Sequence, residues 1–286
     1  MAGKGQPIPL DERKKIMVEM MRVFREFCQE HGLKCYLAGG TLLGAVRHHG
    51  FIPWDDDVDL YLTIDDYNHL IQLTKDEPFV GNYMVSTMHN NPDHMWPMIK
   101  MIDARTKMVD QNTVRRDLEK IQERFYGVCI DIFPLYGLPN DAAERMEFQK
   151  KITDTYTAYK RATRIMTKRP QDSQLQFRLR RMMYDLYCIP FRIRGYKYYL
   201  KTMEQLINRY ALNGAEFLGA SCGVVENGRD HFKTCYLNEE TELPFENLRF
   251  SALAAWDEML TTQYGDYMQL PAENERRIHP SRASWR

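Results

Sequence analysis

Two neighbouring stretches decide the fold of this chain. Residues 37–47 read Leu-Ala-Gly-Gly-Thr-Leu-Leu-Gly-Ala-Val-Arg, and residues 52–62 read Ile-Pro-Trp-Asp-Asp-Asp-Val-Asp-Leu-Tyr-Leu. A glycine pair after a short apolar run bares backbone N–H groups where a helix begins, and such a helix start attracts phosphate. We therefore expect Gly39, Gly40 and Thr41 to bind a phosphate through the backbone, and the Thr41 hydroxyl to cap the helix.

Aspartates dominate the second stretch. Asp57 and Asp59 flank a single residue, and alternate residues of an extended chain share a face, so both carboxylates are predicted to point the same way. The apolar residues 60–62 that follow indicate a strand rather than a solvent loop. Crowded carboxylates need a cation, and oxygen ligands suit Mg²⁺ or Mn²⁺. Asp55 is a candidate additional ligand, whereas Asp56, on the opposite face, is expected to be structural.

A further aspartate interrupts an apolar segment at residues 125–135, which we predict to be a strand. A buried Asp131 needs a polar partner, and a metal ion would supply one. We therefore expect Asp57, Asp59 and Asp131 to hold one or two divalent ions in a phosphoryl-transfer site.

Residues 39–59 resemble the signature of the LicD family. The resemblance lies in Gly-Gly-Thr-Leu-Leu-Gly-Ala with Arg47, followed by Gly-Phe-Ile-Pro-Trp-Asp-Asp-Asp-Val-Asp. Weaker blocks follow in order, namely Lys-Met-Ile-Asp at residues 100–103 with Thr106, then residues 128–134, then residues 264–271. The resemblance extends over residues 30–275.

The LicD family is known for phosphocholine transfer and is similar to the fukutin group. The resemblance implies an α+β core of the polymerase β-like nucleotidyltransferase type with a mixed sheet. It also implies a CDP-choline donor and a sugar hydroxyl acceptor on a surface glycan such as teichoic acid, lipopolysaccharide or a capsule precursor, with release of CMP. Asp131 would accept the hydroxyl proton, while Arg47 and Lys100 would neutralise the phosphate oxygens. Lys100 is equally consistent with a surface lysine at a strand end.

Other activities remain open. The same core could transfer phosphoethanolamine, ribitol phosphate or glycerol phosphate from a CDP donor, and nothing in the sequence separates these. An enzyme acting on RNA is less favoured, because the signature extends well past the generic glycine and aspartate elements, and no nucleic acid is expected as a partner. A non-enzymatic RNA- or nucleotide-binding module is the least favoured, because it would not need three aspartates in strand register beside a phosphate-binding turn. Choline would need aromatic ring faces. The candidates are Trp54, Trp96, Tyr136 and Trp256.

Composition fits a globular enzyme. The chain has 286 residues, of which 44% are hydrophobic, and its six cysteines show no metal-binding spacing, so we expect reduced thiols. The sequence contains no stretch typical of a signal peptide or a membrane span. Eukaryotic relatives of the LicD family work in the secretory pathway behind a membrane anchor, so the resemblance implies the bacterial, cytoplasmic branch. Peripheral contact at the inner face of the cytoplasmic membrane stays open.

Charge is unevenly distributed along the chain. Residues 160–209 contain 13 lysines and arginines against three acidic residues, a net charge of +10 in a chain whose formal charge is zero. Five tyrosines and two phenylalanines of this segment are interspersed among the basic residues. Three interpretations compete, namely solvated helical faces, contact with an anionic membrane, and nucleic-acid binding. The sequence does not decide among them.

Hydrophobic periodicity and the residues that start and end helices predict the remaining elements. Helices are expected over 11–31, 64–73, 141–166, 174–187 and 196–212, the second of them opened by Thr63. Strands are expected over 35–38, 83–88, 98–102 and 125–135. We place a nucleotidyltransferase-like catalytic core in residues 1–139. A mainly helical extension, whose carboxyl-terminal part returns to the core, is expected in residues 140–286.

Overall fold

Helices and strands alternate along the chain. The computed structural model describes residues 5–110, 115–164, 166, 173–220, 231–273, 276 and 281–286. Its helices are α1 (Leu10–Glu30), α2 (Gly39–His48), α3 (Ile64–Leu73), α4 (Arg116–Phe125), α5 (Ala142–Thr163), α6 (Gln174–Arg194), α7 (Tyr196–Ile207) and α8 (Trp256–Tyr264). Its strands are β1 (Cys35–Leu37), β2 (Asp59–Thr63), β3 (Phe79–Val80), β4 (Tyr83–Ser86), β5 (Ile99–Asp103), β6 (Thr106–Asp110), β7 (Cys129–Gly137), β8 (Phe217–Gly219), β9 (His231–Lys233), β10 (Glu240–Phe245), β11 (Leu248–Leu253) and β12 (Ser281–Trp285).

A mixed sheet forms the centre of the fold. Its strands follow the order β1-β2-β7-β5-β4-β3, and β8 and β9 extend it beside the end of β7. Strands β2 and β7 are parallel, whereas β1 pairs with β2 and β5 pairs with β7 in antiparallel fashion. The α+β class with a mixed sheet is therefore confirmed.

The core fixes the direction of the polar side chains on the central strands. Ile130 and Ile132 are fully buried in the main apolar cluster. Because successive residues of a strand point to opposite faces, Asp131 between them points away from that cluster. Leu60 places Asp59 in the same way on β2. The alternation of the sequence thus carries both carboxylates to one face.

Most of the predicted elements are confirmed to within a few residues. Helix α3 begins after Thr63, whose hydroxyl accepts a hydrogen bond from the Asp66 N–H at 3.2 Å, and this is the predicted cap. The predicted strand over 125–135 is wrong at its start, since Phe125 ends α4 and β7 begins at Cys129. Helix α6 continues past residue 187 through an exposed Pro190.

The chain beyond Pro139 first leaves the sheet and then returns to it. Helices α5, α6 and α7 come first, after which β8 pairs with the end of β7 at Tyr136 and Gly219. Strand β12 pairs with β6 in antiparallel fashion. The division of the chain into two parts near residue 139 stays a prediction.

Two further expectations concern thiols and membrane spans. Cys28, Cys35, Cys129, Cys188 and Cys235 form no disulfide, and the sixth cysteine, at position 222, lies outside the described residues. Among the helices that the structure describes, none combines the length and the apolar character needed to cross a membrane.

Candidate active site

Three charged residues stand in one row across the central strands. Asp59 of β2 is the direct partner of Asp131 of β7, and Asp131 is in turn opposite Lys100 of β5. Directly opposed residues on paired strands project from the same face. Two aspartates and one lysine, which are distant from one another in the sequence, thus form one surface.

The glycine turn lies against this row. Helix α2 begins at Gly39, which has a positive φ of 47°. A Cβ added at Gly39 would lie 3.5 Å from Asp59 Oδ2, and one added at Gly40 would lie only 2.8 Å from Asp55 Oδ2. Gly40 therefore lets the first turn of α2 approach the carboxylates, and Gly39 supplies a backbone conformation that other residues rarely adopt. The N–H groups of such a helix start can bind a phosphate.

Thr41 does not cap α2, contrary to the prediction. Ala38 occupies the N-cap position without a side-chain hydrogen bond. The Thr41 hydroxyl instead accepts a hydrogen bond from the Asp59 N–H at 2.8 Å, and Thr41 is buried. The threonine thus fixes α2 to the first residue of β2, which sets the distance between the glycine turn and the carboxylate row.

The other aspartates of the cluster lie in the loop before β2. The prediction that Asp57 belongs to the strand is wrong, because β2 begins at Asp59. Asp57 nevertheless lines the same pocket as Lys100 and Asp131. Asp56 forms a buried ion pair with Arg13 of α1 at 3.5 Å, in keeping with the structural role expected for it.

Electrostatic repulsion is concentrated on Asp59. Burial raises the pKa of its carboxyl well above the usual range, and the charges of Asp57, Asp131 and Asp55 raise the pKa further. Lys100 opposes this shift without cancelling it. A cation at this position would remove the repulsion.

Lys100 is a buried residue of the site. It is 4% exposed and forms an ion pair with Asp131, so the alternative of a surface lysine is wrong. Burial is the largest single influence and disfavours its charge, but the charge and hydrogen bond of Asp131, together with Cys129 and Tyr126, hold the pKa of Lys100 well above its usual value. The ammonium also lies 5.4 Å from the ring centre of Trp96 and 5.3 Å from that of Tyr126.

A pocket of about 370 Å³ opens beside Lys100 and Asp131. Four aromatic side chains contribute to its wall, namely Trp96, Tyr126, Tyr156 and Tyr159. Arg13 and Arg164 add positive charge to its wall. The pocket is large enough for a small phosphorylated group.

Arg47 stands apart from the row. It lies eight residues after Gly39 along α2, roughly 12 Å in a helix, and donates a hydrogen bond to the Tyr267 carbonyl at 2.6 Å. It lines a second pocket, of about 610 Å³, together with Gly40 and Trp54. Burial lowers the pKa of Arg47. The structure thus brings Lys100, but not Arg47, into contact with the carboxylates.

The aromatic candidates for a choline site separate in the structure. Trp96 faces the pocket beside Asp131. Trp54 lines the second pocket, with the Arg276 guanidinium 4.8 Å from its ring centre. Trp256 is half-buried at the edge of the core. Tyr136 is buried in the core, which removes it as a ligand.

The aspartates of the site suit a hard divalent cation in their chemistry. They offer only carboxylate oxygens, and burial together with repulsion among them raises the pKa of Asp59. Within the part of the chain that the structure describes, no group of three histidine, cysteine, aspartate or glutamate side chains is already arranged as a metal site. Asp57, Asp59 and Asp131, with Asp55, are the residues that would hold a cation.

Comparison with known proteins identifies the region that carries the site. Residues 32–170 match the family described as LicD/FKTN/FKRP, nucleotidyltransferase domain. This region of the chain belongs to the LicD family. The resemblance inferred from the glycine and aspartate motifs is thereby confirmed.

Similar proteins extend the LicD match beyond this domain. The lipopolysaccharide cholinephosphotransferase LicD of Haemophilus influenzae is 24% identical over 273 residues, which cover 95% of this chain and 96% of that protein. The ribitol 5-phosphate transferases FKRP of Mus musculus and Homo sapiens are each 50% identical over 42 residues, which cover 15% of this chain and 8% of those proteins.

Residues 32–170 contain all of the catalytic, phosphate-binding and metal-binding residues that the sequence predicts, and also four pocket residues that it does not. The additional residues line the pocket beside Asp131 and are Tyr126, Tyr156, Tyr159 and Arg164. Helix α5 and its C-cap bring the last three of them to the pocket, and the Tyr159 hydroxyl anchors that helix by donating a hydrogen bond to the Met95 carbonyl. Arg164 lies in the basic segment 160–209. That concentration of positive charge is the sequence feature that could have indicated it.

Proposed function

We propose that this protein is a phosphotransferase that moves a phospho-alcohol from an activated donor to a hydroxyl of a glycan. The observation that carries the proposal is the row of Asp59, Asp131 and Lys100 on adjacent strands beside the start of α2. Carboxylates for a cation, a buried lysine for phosphate oxygens and a helix start for a phosphate are the groups that phosphoryl transfer needs.

The finer proposal is transfer of phosphocholine from CDP-choline. It is supported by the match along nearly the whole chain to a lipopolysaccharide cholinephosphotransferase. The aromatic walls of the pocket beside Asp131 also suit a quaternary ammonium, which binds to ring faces. Lipopolysaccharide is the acceptor class that the same relative suggests, and teichoic acid and capsule precursors share its sugar hydroxyls.

A divalent ion, Mg²⁺ or Mn²⁺, completes the proposed site. Asp57, Asp59 and Asp131 would hold it, with Asp55 as an additional ligand. When bound, the ion supplies positive charge to the diphosphate of the donor. The backbone of Gly39, Gly40 and Thr41 is proposed to bind one phosphate of that donor.

The proposed step is a single displacement at phosphorus. The acceptor hydroxyl oxygen forms a bond to the phosphorus that carries the alcohol, the bond from that phosphorus to the oxygen of CMP breaks, and CMP leaves with the electron pair. Asp131 accepts the hydroxyl proton. Lys100, whose pKa is held high, neutralises the oxygens of the transferred phosphoryl group. Arg47 is proposed to contact the donor from the second pocket.

A second candidate is transfer of ribitol 5-phosphate. It is favoured by the 50% identity to the ribitol 5-phosphate transferases over 42 residues. Phosphoethanolamine and glycerol phosphate are further alcohols that the same chemistry would transfer. The cytoplasmic location expected from the sequence stays a prediction.

A panel of donors tests the proposal. Purified protein is incubated with Mg²⁺, lipopolysaccharide and one of CDP-choline, CDP-ribitol, CDP-ethanolamine or CDP-glycerol, and CMP is measured. We expect acceptor-dependent CMP release from CDP-choline above the other donors. Release from CDP-ribitol alone would select the second candidate, and release from none of the four would contradict a CDP-linked donor.

A further inference from the structure

Helix α6 carries an apolar stripe that the described residues of the protein leave uncovered. The stripe recurs every three or four residues and consists of Leu175, Leu179, Met182, Leu186, Ile189 and Ile193. All six side chains are exposed, from 44% at Ile189 to 81% at Ile193. At 1.5 Å per residue the stripe is roughly 27 Å long. Single exposed apolar residues are ordinary, but a continuous line of six marks an interaction surface.

The opposite face of α6 is the one that packs against the protein. Cys188 is fully buried there. Arg161 of α5 lies over the rings of Tyr187 and Phe191, with distances of 4.9 Å and 5.1 Å to their centres. Since α6 is held through this second face, the exposed stripe is not needed to keep the helix in place.

Positive charge borders the stripe. Helix α6 contains five arginines and one acidic residue, Asp185. Arg178, Arg181 and Arg194 are exposed. Asp185 is already engaged by Arg192 at 2.7 Å and by Arg181 at 3.8 Å. An occupant of the stripe must therefore be apolar at its centre and negatively charged at its edges.

We propose that α6 docks the protein on the surface of an anionic lipid bilayer. An interfacial helix has an apolar face that enters the headgroup region and basic residues that meet acidic lipids, which is the arrangement of α6. A second copy of the chain fits less well, because pairing two α6 stripes would bring arginine beside arginine with a single, already engaged aspartate on each helix.

Docking through α6 would also place the candidate active site near the membrane. Helix α5, which holds α6 through Arg161, contributes Tyr156 and Tyr159 to the pocket beside Asp131. This part of the proposal rests on the proposed function, since it matters when the acceptor glycan is carried on a lipid. Lipid binding itself requires neither donor nor acceptor.

Vesicle flotation tests the docking proposal. The full chain is mixed with vesicles of phosphatidylcholine alone, or with about 30 mol% phosphatidylglycerol added, at physiological salt. We expect flotation with the anionic vesicles only. Leu179→Ser/Leu186→Ser/Ile193→Ser should lower the partition coefficient about tenfold or more. Arg178→Gln/Arg194→Gln should lower it roughly 30-fold, because each arginine near an acidic surface contributes about 1 kcal/mol.

Matched controls distinguish docking through α6 from a general effect of exposed apolar surface. Met146→Ser and Phe79→Ser remove exposed apolar side chains on other elements and should leave flotation unchanged. Asp57→Asn/Asp59→Asn should still float, so that loss of transfer and loss of docking are distinguished. Absence of flotation, or equal flotation of the serine variant, would overturn the proposal. Conversion of a dimer to a monomer by the serine variant, without vesicle binding, would assign the stripe to a second copy instead.

Discussion

Asp59 on β2 stands directly opposite Asp131 on the parallel strand β7. Burial and the neighbouring carboxylates raise the pKa of Asp59 well above its usual range. The unfolded chain ionises the same carboxyl more easily, so keeping it in the folded site destabilises the protein above about pH 4. The protein retains this arrangement at a cost in stability, which is typical of a functional site.

Replacing Asp59 should therefore stabilise the metal-free protein. We expect Asp59→Asn to unfold at a higher temperature than the wild type at neutral pH, by about 2–4 °C for each kcal/mol of repulsion removed. Because the folded-state pKa of Asp59 is raised, the free energy of unfolding of the wild type should fall as pH rises from the unfolded-state pKa through the folded-state pKa, and the variant should lack this fall.

Added Mg²⁺ should reverse the order of stability, so that the wild type unfolds at a higher temperature than Asp59→Asn. Binding to the folded state raises the Tm of the wild type, whereas Asp59→Asn should respond weakly. Calorimetry with and without Mg²⁺ measures both effects. Asp76→Asn, an exposed aspartate after α3, should behave as the wild type throughout. Equal Mg²⁺ responses of the wild type and Asp59→Asn would contradict the assignment of Asp59 as a ligand.

Lys100 should be needed for stability. Lys100→Met leaves Asp131 without its ion-pair partner, and breaking a buried pair costs about 3–5 kcal/mol. Urea unfolding measures this loss, and Lys100→Met/Asp131→Asn should recover part of it. Lys107→Met removes a lysine from an ion pair with Glu123 on the neighbouring surface and should cost at most about 1 kcal/mol. A similar cost at both lysines would show that Lys100 has no special role.

The Thr41 hydroxyl should be required as a hydrogen-bond acceptor. Thr41→Val keeps the shape but leaves the Asp59 N–H without this acceptor, which should cost about 1–3 kcal/mol and slow transfer by displacing Asp59. Thr41→Ser retains the oxygen and should keep most of both properties. Chemical denaturation and initial rates compare the two variants. If the serine and valine variants lose the same free energy of unfolding and the same transfer rate, Thr41 acts through packing instead.

His94 should make stability depend on pH. Burial lowers the pKa of His94 to about 4, and its ring contacts Ser86 and donates to the Trp96 carbonyl at 2.7 Å. The unfolded chain takes up the proton near pH 6.5, so the free energy of unfolding should fall by about 3 kcal/mol between roughly pH 6.5 and pH 4.

Denaturation at a series of pH values tests the role of His94. The fall should be smaller in His94→Gln than in the wild type and unchanged in His69→Gln, which alters an exposed histidine on α3. A His94→Gln variant with the full wild-type slope would assign the pH dependence to other groups.

The parts of the site encoded within short stretches could be predicted from the sequence. The glycine turn, the α2 start and the direction of Asp59 and Asp131 follow from local periodicity and strand alternation. The cap at Thr63 was also found, since its partner Asp66 is three residues away. Local patterns placed Asp57 inside β2 rather than in the loop before it, because alternation does not show where pairing begins.

The rest depends on contacts between distant parts of the chain. The Thr41 hydroxyl accepts a hydrogen bond from Asp59, a strand residue 18 positions away, whereas the local sequence predicts that it caps α2. Pairing of β6 with β12 joins Thr106 to Trp285, and no local signal encodes that register. Burial of Lys100 beside Trp96 and Tyr126 likewise required the folded sheet, and so did the exposure of the α6 stripe.

Transfer of labelled choline to a glycan tests the central claim most directly. The wild type and Asp59→Asn are incubated with Mg²⁺, lipopolysaccharide and CDP-choline labelled in the choline, and the label on the glycan is compared with the CMP released. We expect the wild type to transfer one choline for each CMP, and Asp59→Asn to be slower by a factor of about 100 or more. No transfer by the folded wild type, or an unchanged rate in Asp59→Asn, would contradict the claim.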